Sequence, residues 1–138
     1  MNLDLKGKRA VVCGSTQGIG KASAIELALL GAEITLVARN EESLKSTLKE
    51  LSTTAGQKHD YLIADFNFPD LLKEKIDQYV KNKEVHILIN NTGGPPGGQA
   101  IDASTEEFIK AFSSHLICNQ IMVQAIVPAM KKANYGRI

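Results

Sequence analysis

Short β-rich apolar runs alternate along this chain with segments of helical periodicity, and that alternation limits the possible folds more than any other feature. Residues 9–13 (RAVVC) read as a buried strand, and the alanine-rich residues 19–30, closed by Gly31, read as a helix. Residues 33–37 (EITLV) form a second strand. The helix after it carries Leu44, Leu48 and Leu51 at i, i+4 and i+7, one apolar stripe. Residues 59–64 give a third strand. Pro69 opens a helix on which Leu72, Ile76, Tyr79 and Val80 share a face, and residues 85–89 (VHILI) give a fourth strand. Strand and helix alternating at this spacing predict right-handed crossovers and a parallel sheet covered on both faces. At 138 residues and 43% hydrophobic, the chain fits one α/β domain with a real core.

Two further segments complete the pattern. Phe108, Phe112, Leu116, Val123, Val127 and Met130 predict one long helix over residues 105–131, with Pro128 near its end. Ile117, Ile121, Ala125 and Ala129 flank that stripe, so the helix is apolar on more than one side. Tyr135, Gly136, Arg137 and Ile138 read as a turn entering a fifth strand.

The glycines between the first strand and first helix are Gly14, Gly18 and Gly20, spaced G-x-x-x-G-x-G. Gly14 permits a tight turn, Gly18 lets backbone approach a pyrophosphate, and Gly20 lets the helix pack close to the strand. The helix N-terminus then aims unpaired N–H groups at phosphate. Sixteen basic against fifteen acidic residues, a formal charge of +1, give no electrostatic case for nucleic acid or an anionic membrane. No apolar run approaches the roughly 18 residues of a membrane span, and MNLDLKGKR lacks the apolar core of a signal peptide. Cys13 and Cys118 have neither disulfide-framework nor zinc-ligand spacing. They read as buried thiols, no metal is expected, and a reducing cytoplasm is the expected compartment.

These residues carry a resemblance. Gly14-Ser15-Thr16-Gln17-Gly18-Ile19-Gly20 resembles the T-G-x-x-x-G-I-G signature of short-chain dehydrogenases/reductases, with Cys13 in place of the usual Thr. Asp65, followed by Phe66, matches the Asp that this family places beside the adenine ring. Asn90-Asn91-Thr92-Gly93 is similar to its N-N-A-G motif, with Thr92 for Ala. Pro128, Met130 and Gly136-Arg137-Ile138 match the end of its interface helix and the entry to its fifth strand. The resemblance implies a Rossmann-type doubly wound parallel sheet in the order 3-2-1-4, with a fifth strand beginning at the chain end. It implies cofactor contacts from residues 14–20, Asp65, Phe66, Asn91, Thr92 and Gly93. It also implies that Asn91 lies near the adenine ribose while Asn90 holds the central strands. Either Asn could instead be purely structural, as could Asp65.

The end of the second strand separates the two nicotinamide cofactors. An acid there would accept a ribose 2′-hydroxyl and repel a 2′-phosphate. The chain has Ala38, Arg39 and Asn40, with no carboxylate until Glu41. Arg39 offers a fork suited to phosphate, and Ser15 a hydroxyl donor, so NADP(H) is favoured over NAD(H). Gln17 departs from relatives that carry a second basic residue there.

The family's catalytic Ser, Tyr and Lys are expected to lie beyond Ile138, leaving residues 1–138 as the dinucleotide-binding portion. Tyr61, Tyr79 and Tyr135 read as structural, as do His59 and His86. Counting from Phe108, the family's helix Asn falls at His115, with Asn119 one turn later. Histidine exchanges protons near neutral pH, so His115 could serve a proton relay or sit tucked into the helix interface. The glycine- and proline-rich residues 92–98 (TGGPPGG) fall by resemblance beside the substrate mouth. The expected activity is NADP(H)-dependent hydride transfer to a small carbonyl substrate or from its alcohol, with a 3-oxoacyl thioester as one candidate, in a homo-dimer or homo-tetramer. The alternative is a non-catalytic nucleotide-binding or regulatory protein on the same scaffold.

Overall fold

A computed structural model describes residues 3–138. Its elements run β1 (Arg9–Cys13), α1 (Gly18–Leu29), β2 (Glu33–Ala38), α2 (Glu41–Leu48), β3 (Asp60–Ile63), α3 (Pro69–Val80), β4 (Ile87–Ile89), α4 (Thr105–Phe112), a π-helical turn (Ser113–Ile117) and α5 (Cys118–Lys132). The four strands form one sheet in the order β3-β2-β1-β4 with every pairing parallel, as the alternation predicts. Arg9 to Cys13 align residue by residue with Glu33 to Val37. A fifth strand is announced one residue before Ile138. Arg137 bridges Ile87 in parallel, and its carbonyl accepts Leu88 N–H at 2.9 Å.

Because successive strand residues face opposite sides, β1 divides its side chains between two cores. Val11 and Cys13 join Val37, Leu72, Ile76, Leu88, Met122 and Ile126 beneath α3 and α5. Ala10 and Val12 join Ala24, Ala28, Ile34, Leu36 and Leu44 beneath α1 and α2. The alanines of α1 let that helix sit close to the sheet. Both thiols are free and buried, and burial pushes Cys13 up to about 12.

The long helix departs from expectation. It spans the predicted residues but is interrupted at Ser113–Ile117 by a π-turn. A π-turn closes i→i+5 and inserts an extra residue into the 3.6-residue repeat, so a stripe read through it changes face. Phe108, Phe112 and Leu116, which trace the first half of the predicted helix, are 58%, 55% and 55% exposed. Beyond the turn the buried line is Cys118, Met122, Ile126 and Met130, with Val123 and Val127 packed at its margin.

The histidines at strand starts are structural, as expected. His59 Nδ1 accepts Ile34 N–H, and His86 Nδ1 accepts Arg9 N–H, each at 3.0 Å. Burial, reinforced by Lys8 and Arg9, holds the His86 pKa below its ordinary value. The unfolded chain therefore takes up this proton first as pH falls below about 6.5. The contribution of His86 to stability is complete above that pH and is lost as pH falls through the lower folded value. The melting temperature should drop between pH 7.5 and pH 5, and His86→Asn should flatten that drop. An unchanged slope in the variant would contradict the assignment.

Candidate functional site

With all four strands parallel, their C-terminal ends lie along one rim, the edge on which open α/β sheets bind ligands. The turn from β1 to α1 occupies its centre. Gly14 and Gly18 take φ of +58° and +55°, a left-handed backbone that glycine adopts without strain. Gly20 is glycine for a different reason. A Cβ there would stand 2.3 Å from Gly14 O and 2.7 Å from Asn91 Nδ2. Asn91 Nδ2 donates to Cys13 O and Gly14 O, both at 3.3 Å, fastening β4 to the glycine turn. A Cβ at Gly18 would meet nothing within 4 Å, so that side of the turn is open to a ligand.

The helices behind this rim differ in how they begin. Asn40 Oδ1 accepts Ser43 N–H at the start of α2, Ser104 and Glu107 form a capping box on α4, and α3 opens with Pro69 and Asp70. The α1 N-cap, Gln17, makes no side-chain cap bond, and no acid stands in the first turn. The first N–H groups of α1 thus keep their partial positive charge for an external anion. Thr16 is half-buried beside them, and Gln17, Gly18 and Ile19 are exposed, Ile19 by 76%.

Arg39 follows β2 directly on the same rim. It is exposed and has no ion-pair or hydrogen-bond partner among the described residues. Glu41, the nearest acid in sequence, is engaged by Lys45 at 3.0 Å and by the Tyr61 hydroxyl at 2.9 Å, which hold its carboxyl below the usual range. Ser15 is fully buried, and its hydroxyl donates to Val37 O at 3.4 Å, so it joins the turn to the end of β2.

Asp65 lies just past β3, where Ala64 N–H still bonds Ala38 O. Its Oδ1 accepts both the N–H and side-chain amide of Asn67, at 2.9 and 2.8 Å, and Oδ2 has no partner among the described residues. Phe66 packs against the core, and its carbonyl receives the Cys118 thiol. Of the paired asparagines, Asn91 is the one that ties the central strands. The buried Asn90 Oδ1 has no partner among the described residues, so the strand-holding role expected of Asn90 belongs to its neighbour. Neighbouring residues at a strand end face opposite ways, and the sequence cannot say which one meets the glycine turn.

Past Asn91, the Thr92 hydroxyl lies 2.5 Å from His115 Nδ1 on the π-turn. Thr92 in place of Ala and His115 in place of Asn, two separate departures from the resembled motifs, thus touch in the fold. Gly93 opens a wholly exposed stretch through Ala100. The tyrosines are elsewhere: Tyr79 bonds Thr35, and Tyr135 lies under Lys8 and Arg137 and edge-on to His86, at the opposite end of the sheet.

Residues 8–138 match the short chain dehydrogenase family model. Inactive hydroxysteroid dehydrogenase-like protein 1 of Homo sapiens is 34% identical over 134 residues, covering 96% of this chain and 41% of that protein. L-sorbose reductase from Gluconobacter frateurii, solved with NADPH and L-sorbose, superposes with a TM-score of 0.85 at 27% identity, covering 96% of this chain and 51% of that one. A metagenomic short-chain oxidoreductase solved with NADP superposes at 0.84 with 30% identity, covering 96% and 60%. The chain thus spans about half the length of the proteins it matches.

Proposed function

The chain belongs to the short-chain dehydrogenase/reductase family, and on that premise we propose that residues 1–138 are the nucleotide-binding portion of an NADP(H)-dependent oxidoreductase. The observation that carries this reading is the interlocked Gly14–Gly20–Asn91 packing, which presents an uncapped, acid-free helix start on the rim beside a free Arg39. The open Gly18 side leaves space for a pyrophosphate against the first N–H groups of α1, and the glycines make that approach possible. Arg39 pairs with the 2′-phosphate, the free oxygen of Asp65 meets the adenine, and the exposed residues from Gly93 onward lie toward the nicotinamide. When bound, the dinucleotide supplies or accepts a hydride. The protein's part is to fix it, exclude water, and hold a proton near the reacting oxygen, a task for which His115, at the family's Asn position, is the candidate of this chain.

The substrate is a small carbonyl compound or the corresponding alcohol, and a 3-oxoacyl thioester is the first to try, with a ketose as comparison. The decisive experiment titrates NADPH and NADH into the full-length protein and then follows NADPH oxidation with these ketones. NADPH binding with turnover supports the reading, and failure of both cofactors to bind ends it. Binding without turnover would favour a second reading, a non-catalytic nucleotide-binding protein. Its support is the human relative described as inactive, together with His115 standing where the family has Asn.

The partner expected for the exposed Phe108, Phe112, Leu116 and Ile117 is a second copy, giving a homo-dimer or homo-tetramer. Sedimentation at micromolar concentration should find no monomer, and a monomer would refute this. Among the described residues no helix is long and apolar enough to cross a membrane. With its two free buried thiols, the chain is assigned to the cytoplasm.

A further inference from the structure

The imidazole of His115 has one contact that fixes it. Nδ1 is held by the Thr92 hydroxyl at 2.5 Å, and Nε2 has no partner among the described residues. The ring is half-buried and lines a groove with Phe112, Leu116, Ile117 and Asn119, whose buried side-chain oxygen is also unpartnered. From Gly93 to Gly98 no residue makes a hydrogen bond among the described residues. Thr92 is therefore the last point at which the chain leaving β4 is fastened before a glycine- and proline-rich stretch, and what fastens it is His115.

We propose that Thr92 is a positioning residue for His115: its hydroxyl donates to Nδ1 and locks the ring in the tautomer that carries hydrogen on Nε2, presented to the groove. The proposal rests on the reading of this rim as a dinucleotide oxidoreductase site for its functional meaning, though not for its geometry. In a neutral imidazole one nitrogen donates and the other accepts, so the bond made at one decides what the other offers. A threonine donor at Nδ1 leaves an N–H at Nε2, able to bind a carbonyl or alkoxide oxygen or a water in the groove. The opposite arrangement would leave the threonine hydrogen without an acceptor and turn Nε2 into an acceptor. The Asn119 side-chain oxygen one helical turn away is buried, so the Nε2 hydrogen is the polar function that this histidine offers the groove. The π-turn matters because it places His115 off the regular helical repeat, where it reaches Thr92. The two departures from the family motif thus act as one unit.

The test is long-range proton–nitrogen correlation of the imidazole rings in 15N-histidine-labelled protein, comparing wild type, Thr92→Val and Thr92→Ser. His59 and His86 are built-in controls, since their Nδ1 atoms accept backbone N–H groups far from this contact. The wild-type His115 pattern should be that of a single Nε2–H tautomer. Thr92→Val should convert it to a tautomer mixture, Thr92→Ser should restore it, and the His59 and His86 signals should not move. In the full-length protein the valine variant should lower the kcat of ketone reduction by tenfold or more, with the serine variant largely rescued. A His115 pattern unchanged in Thr92→Val, or a wild-type Nδ1–H tautomer, would overturn the proposal. Absence of NADPH binding in the wild type would instead overturn the functional reading, while the ring signals still decided the positioning role.

Discussion

Gly20→Ala is expected to abolish measurable dinucleotide binding and to lower the melting temperature by on the order of 10 °C. Gly20 has no left-handed φ, so alanine is no burden on its backbone; the obstacle is space. The new methyl would lie 2.3 Å from Gly14 O and 2.8 Å from Gly14 C, both backbone atoms that cannot swing aside. Either α1 retreats from the sheet or the Gly14 carbonyl moves, and the second response breaks the Asn91 bonds that fasten β4 to the turn. Overpacking of this kind costs about 1–3 kcal/mol, and each lost hydrogen bond about 0.5–1.5 kcal/mol more. Gly18→Ala provides the contrast. Its added methyl meets nothing, so only the strain of a positive φ remains, about 1–2 kcal/mol. That variant should stay folded yet still bind cofactor poorly, because its methyl occupies the ligand's side of the turn. Differential scanning fluorimetry and NADPH titration of both variants check this. Wild-type behaviour of Gly20→Ala would show that the packing is looser than described.

The residues that announced the fold did so because parallel strands buried on both faces must be apolar without interruption. RAVVC and EITLV could hardly be anything else, and β1 begins and ends as read. Strand ends were less legible. Val85 is buried like a strand residue, yet the ladder proper starts at Ile87, after the His86 ring has turned back to accept Arg9 N–H. The glycine turn was legible in type, since φ and close approach both select for glycine. Side-chain direction was not. A hydroxyl such as that of Ser15 serves equally inside or outside, and only the fold shows that it donates to Val37 O. The π-turn left no periodic signal, because an inserted residue in an apolar helix merely transfers the stripe to other apolar residues. Phe112 and Leu116 were placed on one stripe with Val123 on that account, although beyond the turn the core is carried by Cys118 and Met122.

Arg39→Glu should reverse the cofactor preference, from at least tenfold in favour of NADPH to parity or a preference for NADH. Several features of the rim make one residue responsible. Asn40 is committed to capping α2, and Glu41 to Lys45 and Tyr61, so no carboxylate is free at the end of β2 to accept a ribose 2′-hydroxyl. Ser15 is turned inward and Gln17 carries no charge. Arg39 is left as the cation at this strand end, exposed and with no partner among the described residues, so binding a phosphate breaks no existing ion pair. A charge-assisted hydrogen bond contributes about 1.5–3 kcal/mol, which corresponds to roughly 10- to 150-fold in affinity. Glutamate removes that contribution, repels the phosphate, and supplies the acceptor that a ribose hydroxyl lacks in the wild type. Arg39→Lys should keep the sign of the preference but weaken it, since a single ammonium cannot bind phosphate in the forked geometry of guanidinium. Raising the salt concentration should erode the wild-type preference and leave NADH affinity nearly unchanged, as screening acts on the exposed charge pair. Isothermal titration of both cofactors with the three proteins, at low and at high salt, reads all of these together. Equal wild-type affinities, or a preference indifferent to the glutamate, would place cofactor selection elsewhere on the rim.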